Sequence, residues 1–258
     1  MPEIHPTAIV APGAELGQGV RVGPYSIIGD HVTIGPDTEI VAHVYIEGHT
    51  QIGERNTISP FSCIGMPPQD IGYRGEDTRV VIGNDNIIRE NVTIHRATTK
   101  EDRQTVVGNN NFIMAYSHIA HDCALGNGVI MANVATLAGH TKVGDHATIG
   151  GLVAIHQFVR IGAYAFIGGQ TGIAQDVPPF MMASGARASL YGINQKGLTR
   201  KGFDRRTIDG LKKAYRIIWR EHTKLQEGIR QVREEIESFP ELETLLDFLE
   251  NSKRGILR

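Results

Sequence analysis

Residues 107–173 read VGNNNFIMAYSHIAHDCALGNGVIMANVATLAGHTKVGDHATIGGLVAIHQFVRIGAYAFIGGQTGI, and stepping through them by six meets an aliphatic side chain every time. The series is Val107, Ile113, Ile119, Leu125, Met131, Leu137, Val143, Ile149, Ile155, Ile161, Ile167 and Ile173. The same step begins near the start of the chain, through Ile4, Val10, Leu16, Val22, Ile28, Ile34, Ile40, Ile46, Ile52, Ile58 and Ile64. It slips after Ile64, returns at Ile82, Ile88 and Ile94, and slips again before Val107. Neither a helical period of 3.6 nor simple alternation produces a strict six. The pattern reads as short strand, turn, short strand, with the aliphatic residue pointing inward. The glycine that often follows it (Gly17, Gly23, Gly35, Gly53, Gly108, Gly144) is expected to relieve crowding or to supply positive φ. Units of this kind cannot bury an apolar face alone, so they stack.

This spacing resembles the hexapeptide-repeat family, in which three hexads make one triangular coil. The resemblance implies a mainly β chain: a left-handed parallel β-helix over residues 1–190, followed by a C-terminal α-helical domain over 191–258. The two phase slips mark insertions. Met66 to Val81 reads MPPQDIGYRGEDTRVV, and the second, from His95 to Val106, opens HRATTKEDRQTV. Long loops on a rigid solenoid tend to lie at the binding face. After Ile173 the repeat ends at AQDVPP and a short irregular stretch. Asp204 then suits the N-cap of a helix whose Ile208, Leu211, Tyr215 and Ile218 share a face. Thr223 and Gln226 have capping-box spacing before a second helix, and Pro240 opens a third with Leu242, Leu245, Leu246 and Leu249.

Composition removes several classes of function. The formal charge of −2 argues against a binder dominated by phosphate contacts, so no nucleic-acid partner is expected. No apolar run is long enough to span a membrane. The start, MPEIHPTAIV, lacks the basic and apolar regions of a signal peptide. Cys63 and Cys123 alone give no disulfide framework, so a cytoplasmic protein is expected.

The chemistry points to the histidines His118, His121, His140, His146 and His156. With about 18 residues per coil and about 4.8 Å between coils, position 139 lies above 121. His121, Gly139 and His140 thus become neighbours, with His156 one coil further. Imidazoles grouped around one groove suit proton transfer. Metal binding is the rival reading. His118 and His121, three apart in a predicted strand, point opposite ways, and no Cys or Glu stands at ligand spacing, so no metal site is expected.

Longer motifs narrow the family. SHIAHDCALGNGVIMANVATLAGH (Ser117 to His140), GGLVAIHQF (Gly150 to Phe158), AQDVPP (Ala174 to Pro179), HPTAIV near the start, TRVVIGNDNIIRENVTIHR and the final RGILR together resemble the UDP-N-acetylglucosamine acyltransferase family. That family commits the nucleotide sugar to lipid A synthesis in Gram-negative bacteria. The resemblance implies His121 as general base, Asp122 as the acid that orients it, and the Gly139 N–H as oxyanion donor. Strand geometry alone would turn Asp122 away from His121. It further implies substrate contacts from Gln69, Asp70, His118, His140, His156, Gln157, Asn194, Arg200 and Lys201, and control of acyl-chain length at Gly168 and Gly169. No cofactor is implied, because a thioester is already activated. The expected partners are acyl carrier protein, UDP-N-acetylglucosamine and two further copies of the chain in a homotrimer.

The chain departs from the family's QDLKY, reading QDIGY with Gly72 in place of the lysine. Arg74 is a candidate substitute, and an acceptor sugar carrying a 3-amino group stays open as an alternative. A zinc lyase of the carbonic anhydrase type is the alternative from another class. Lys196, Arg200, Lys201, Arg205, Arg206, Lys212, Lys213, Arg216 and Arg220 face only Asp204 and Asp209 locally, a basic surface suited to an acidic carrier protein.

Overall fold

The computed structural model describes residues 1–221 and 224–258. Short parallel strands stack into three sheets of eleven, nine and eight strands, which form the faces A, B and C of a prism. The chain visits the faces in turn, so Ile119 pairs with Leu137 on face B and Leu125 with Val143 on face C. The inward residues of the sixfold series are almost all fully buried, Ile58, Ile64, Ile94, Ile119 and Leu137 among them. Among the described residues the first coil is the open one, with Ile4 48% exposed and Val10 and Leu16 half-buried.

The insertions leave the stack intact. Buried Asn56, Asn86, Asn111 and Val129 follow one another up the prism, linked at sequence separations of 30, 25 and 18 residues. The two long steps carry the loops, which leave face B after Met66 and His95 and return to face C at Arg79 and Gln104.

The corners correct the expected role of the glycines. Most positive-φ corner residues are not glycine: Tyr25, His43, Phe61, Tyr116, Val134 and Leu152 climb the A–B corner, and Asp122, His140 and Phe158 the B–C corner. The glycines after the hexad aliphatics are needed for close approach of coil to coil. A Cβ on Gly23 would lie 1.6 Å from the Val41 carbonyl oxygen, and one on Gly35 2.6 Å from the Gly53 carbonyl carbon. The left-handed corners are sustained by main-chain bonds to the coil below, as from Leu152 N–H to Asn133 O and from His140 N–H to His121 O.

After the last coil an antiparallel hairpin, Met181–Ser184 with Ser189–Ile193, extends face A where irregular chain was expected. Among the described residues four α-helices follow: α1 (Gln195–Arg200), α2 (Arg205–Arg216), α3 (Leu225–Glu235) and α4 (Pro240–Glu250). Asp204 caps α2 by accepting from Thr207 N–H at 2.7 Å, and Ile208, Leu211 and Ala214 are buried. Pro240 opens α4. The N-cap of α3 is Lys224, and Thr223 of the expected capping box lies outside the described residues. No helix among the described residues is long and apolar enough to cross a membrane.

Candidate active site

The B–C corner carries the chemistry. His121 is not in a strand: His118–Ile119 is, and the chain then turns through Asp122 at φ +60. The left-handed turn overrides strand alternation and swings the two side chains together, with His121 Nδ1 2.8 Å from Asp122 Oδ2. Asp122 is 4% exposed. Thr98 of the second insertion donates its N–H and its hydroxyl to the carboxylate, the latter at 2.8 Å, and Thr105 Oγ accepts the Asp122 N–H. Burial alone would push the Asp122 carboxyl up, but bonds from His121 and Thr98 and the nearby His140 outweigh it, and the group lies below the usual carboxylate range.

Gly139 sits directly on the His121 ring. A Cβ there would come within 2.4 Å of Cε1 and 2.7 Å of Nε2. Among the described residues the Gly139 N–H donates to no carbonyl, so it is available to a ligand beside the imidazole. His140, 3% exposed, meets His121 edge-on at 5.3 Å and stacks on Phe158 at 4.4 Å. Its Nε2 lies 3.7 Å from Asp122 Oδ2, while its Nδ1 has no hydrogen bond and faces Glu101 Oε2 at 3.6 Å.

His121, Asp122 and His140 also bring three potential ligand atoms within 4.8 Å of one another, a set the His118–His121 comparison overlooked. A metal there would compete with the Thr98 and His121 bonds that Asp122 already accepts. The set fits a polarised imidazole better than a chelate.

Around this centre the other candidates fall into two groups. His118 bonds Thr93 Oγ through Nδ1 at 2.7 Å and meets His95 at 4.9 Å. His95 was not singled out from the sequence, because it ends an ordinary hexad strand at the mouth of the insertion. Burial, and then His118 and His121, push its imidazole down to about 4. Asp70 belongs here too: the Lys100 ammonium, then the Gly72 N–H, hold its carboxyl below the usual range, and His121 adds to the effect. Gln69 is exposed beside it. Lys100 therefore supplies the cation beside Asp70, not Arg74, whose guanidinium is turned back onto the Ile71 and Tyr73 carbonyls of its own loop. One coil above, His156 and Gln157 are exposed, with His156 Nδ1 2.8 Å from Arg254.

Asn194, Arg200 and Lys201 form a second group on another edge. Asn194 caps α1 through Gly197 N–H and donates to Tyr164 O, and Lys201 Nζ lies 3.3 Å from His146. His146 and Tyr164 belong to the C–A corner, so a single chain does not bring these residues to His121. The two length-setting glycines also separate. A Cβ on Gly168 would strike Ser184 Oγ at 2.6 Å, inside a coil-to-coil contact, whereas Gly169 lines a shallow surface groove with Val134, Gly151 and Leu152. Between that groove and the B–C corner, the outward column of face B shrinks from His118 and Thr136 to Ala154 and Gly172. The result is a largely apolar trough of about 510 Å³ bounded by His156, Ala186 and Leu257.

Residues 13–48 and 104–139 match the bacterial transferase hexapeptide model, and residues 176–257 match the second domain of UDP-N-acetylglucosamine O-acyltransferase. The acyl-[acyl-carrier-protein]–UDP-N-acetylglucosamine O-acyltransferase of Thermodesulfovibrio yellowstonii is 61% identical over 258 residues, covering 100% of both chains. The chain belongs to the UDP-N-acetylglucosamine O-acyltransferase family. A second such relative, from Syntrophobacter fumaroxidans, is 51% identical over 99% of this chain and 100% of its own. Among solved structures, the LpxA protein of Acinetobacter baumannii superposes with a TM-score of 0.96 at 45% identity, covering 99% of each chain. The prism of this family member is accordingly the left-handed hexapeptide β-helix, and the chain is an acyltransferase.

The family assignment leaves the basic cap surface to be read from the structure. α2 and its neighbours pair much of it: Arg206 with Glu237, Lys213 with Glu235, Arg216 with Glu221, and Lys212 with Asp209. Lys196 and Arg200 have no carboxylate partner among the described residues.

Proposed function

We propose that this acyltransferase moves an (R)-3-hydroxyacyl group from the thioester of acyl carrier protein to the 3-hydroxyl of UDP-N-acetylglucosamine, with His121 as general base. The observation that carries the mechanism is the His121–Asp122 pair packed against the Gly139 peptide. An Nδ1–H donated to Asp122 leaves the Nε2 lone pair to take the proton of the sugar hydroxyl. As that proton leaves, the sugar oxygen attacks the thioester carbonyl, and the buried carboxylate stabilises the imidazolium. The charge gathering on the carbonyl oxygen is met by the Gly139 N–H, which the missing side chain allows the thioester to approach. The attack forms the C–O bond, and collapse of the tetrahedral adduct restores the carbonyl, breaks the C–S bond and passes the proton from His121 to the departing thiolate. No metal enters this scheme.

The apolar trough over face B suits the acyl chain, with Gly169 at its far end setting the length. The separation of Asn194, Arg200 and Lys201 from His121 favours a homotrimer in which one chain's C–A corner faces the next chain's B–C corner. Lys196 and Arg200 then lie where an acidic carrier protein can dock.

The test uses purified protein, a length series of 3-hydroxyacyl carrier proteins, and acceptors bearing a 3-hydroxyl or a 3-amino group. The expected result is ester formation with long chains, reduced at least about a hundredfold by His121→Ala. Near-full activity in that variant ends the general-base assignment, and a preference for the amino acceptor moves the chemistry to amide formation.

A further inference from the structure

We propose that Arg254, in the C-terminal segment, is a positioning residue for His156: it holds the imidazole proton on Nε2, so that the groove is offered a hydrogen-bond donor. Arg254 Nη2 lies 2.8 Å from His156 Nδ1. A guanidinium has donors only, so Nδ1 must accept, and a neutral imidazole then carries its proton on Nε2. A competitor stands close by. The Gln157 carbonyl oxygen is 3.2 Å from the same Nδ1, and it would accept an Nδ1–H. The two contacts are mutually exclusive, and the shorter, charge-assisted one prevails. Without Arg254 the ring proton moves to Nδ1, and Nε2 becomes an acceptor. One side chain therefore decides the polarity that His156 shows to a ligand.

The segment delivering Arg254 is firmly tied. Asp176, fully buried where the AQDVPP stretch leaves the last coil, accepts from Arg160 N–H at 2.8 Å through one oxygen and from Ser252 Oγ at 2.7 Å through the other. Its main chain brackets the tail: Asp176 N–H donates to Gly255 O, and Leu257 N–H donates to Asp176 O. Gly255 at φ +83 makes the bend, and Arg254 Nε adds a bond to Ala174 O. Such a scaffold fixes a guanidinium in place and gives the terminal RGILR motif a task.

The ligand follows from the surroundings. His156 stands at the rim of the apolar trough beside Ala154 and Gly172. A single Nε2–H at that rim matches an oxygen of the acyl donor, its carbonyl or its 3-hydroxyl. This part rests on the proposed acyl transfer.

Arg254→Met removes the donor at similar length, and Arg254→Lys restores one. Nitrogen-15 NMR of histidine-labelled protein, with His156→Gln to assign the ring, reads the tautomer directly. The expected result is protonated Nε2 in the parent and in Arg254→Lys, and protonated Nδ1 in Arg254→Met. In kinetics, Arg254→Met raises the KM for the acyl donor about tenfold, with kcat and the nucleotide-sugar KM within about threefold, and Lys recovers most of the loss. A parent with Nδ1 protonated, or a tautomer indifferent to Arg254→Met, overturns the positioning role. A switched tautomer with an unchanged donor KM overturns the ligand assignment. If the parent transfers no acyl group at all, the acyl-transfer reading fails while the NMR arm still decides whether Arg254 governs His156.

Discussion

Position 139 shows how much a missing methyl group can decide. The backbone there is not left-handed, so alanine meets no strain from its own φ; the conflict is wholly with the His121 ring 2.4 Å away. Gly139→Ala is therefore expected to lower kcat by roughly a hundredfold or more through displacement of the base. The melting temperature should change by only a few degrees, since the atoms that must give way belong to a side chain and not to the main chain. A stable variant of normal activity would contradict the packing described. His95 makes a different statement at the same scale. Its folded-state pKa, pushed down to about 4 by burial and then by His118 and His121, lies below the ordinary 6.5. The unfolded chain binds this proton from about pH 6.5 and the folded chain only near 4. Stability is thus lost as pH falls across that window, by roughly 3 kcal/mol for this group. Melting curves from pH 7 to pH 4 should show a smaller acid loss in His95→Gln than in the parent.

Each coil of the prism is an element that cannot stand alone, and its polar corners need satisfying as much as its aliphatic ones need burying. The buried ladder Asn56–Asn86–Asn111 performs that task where the insertions lengthen the coils. Asn86 accepts from Asn111 N–H and donates to Asn56 Oδ1 and to the Gly108 carbonyl, each at 2.9 Å. Asn86→Ala strands a buried N–H and a carbonyl together and should cost roughly 2–4 kcal/mol. The half-buried Asn109, whose amide nitrogen bonds Asn127 in reach of water and whose oxygen accepts the Asn84 N–H, should cost less, about 1 kcal/mol, when cut to alanine. Chemical denaturation of the two variants measures the difference; equal losses would mean that the ladder adds nothing beyond surface turn chemistry. The left-handed corners belong to the same scale. Among the described residues nineteen that are not glycine take positive φ, which is unfavourable locally; at the prism corners it persists because the coil below supplies the bonds.

At the scale of the molecule, the candidate residues are split between two edges of the prism. His121 and Asp122 lie at the B–C corner, and Lys201 beside His146 at the C–A corner. A site shared between neighbouring chains in a trimer predicts complementation. Refolding a mixture of His121→Ala chains with chains carrying Arg200→Ala and Lys201→Ala should regenerate sites with both halves intact. Activity should rise well above that of either parent, and light scattering should report three chains per particle. No recovery from a mixture that does form mixed trimers would place the whole site within one chain.

Much of this is legible in the sequence. The sixfold series specified stacked coils, because only an inward residue every six positions keeps a triangular prism filled. Its interruptions located both insertions, and the coil length placed 139 over 121. The helix signals at Asp204 and Pro240 were local, and local signals survive in sequence. Other features depended on chain that is distant or bent. The His121–Asp122 contact arises from a left-handed turn that alternation could not foresee. Thr98, Lys100 and the lowered His95 depend on where an insertion folds back. The ion pairs across the cap join residues of separate helices, so what reads as a basic surface in sequence is largely neutralised. Sequence by itself determined which residues repeat along the prism, since burial imposes a period. Only the tertiary structure decided which polar groups meet, since hydrogen bonds and charge act through space and leave no period behind.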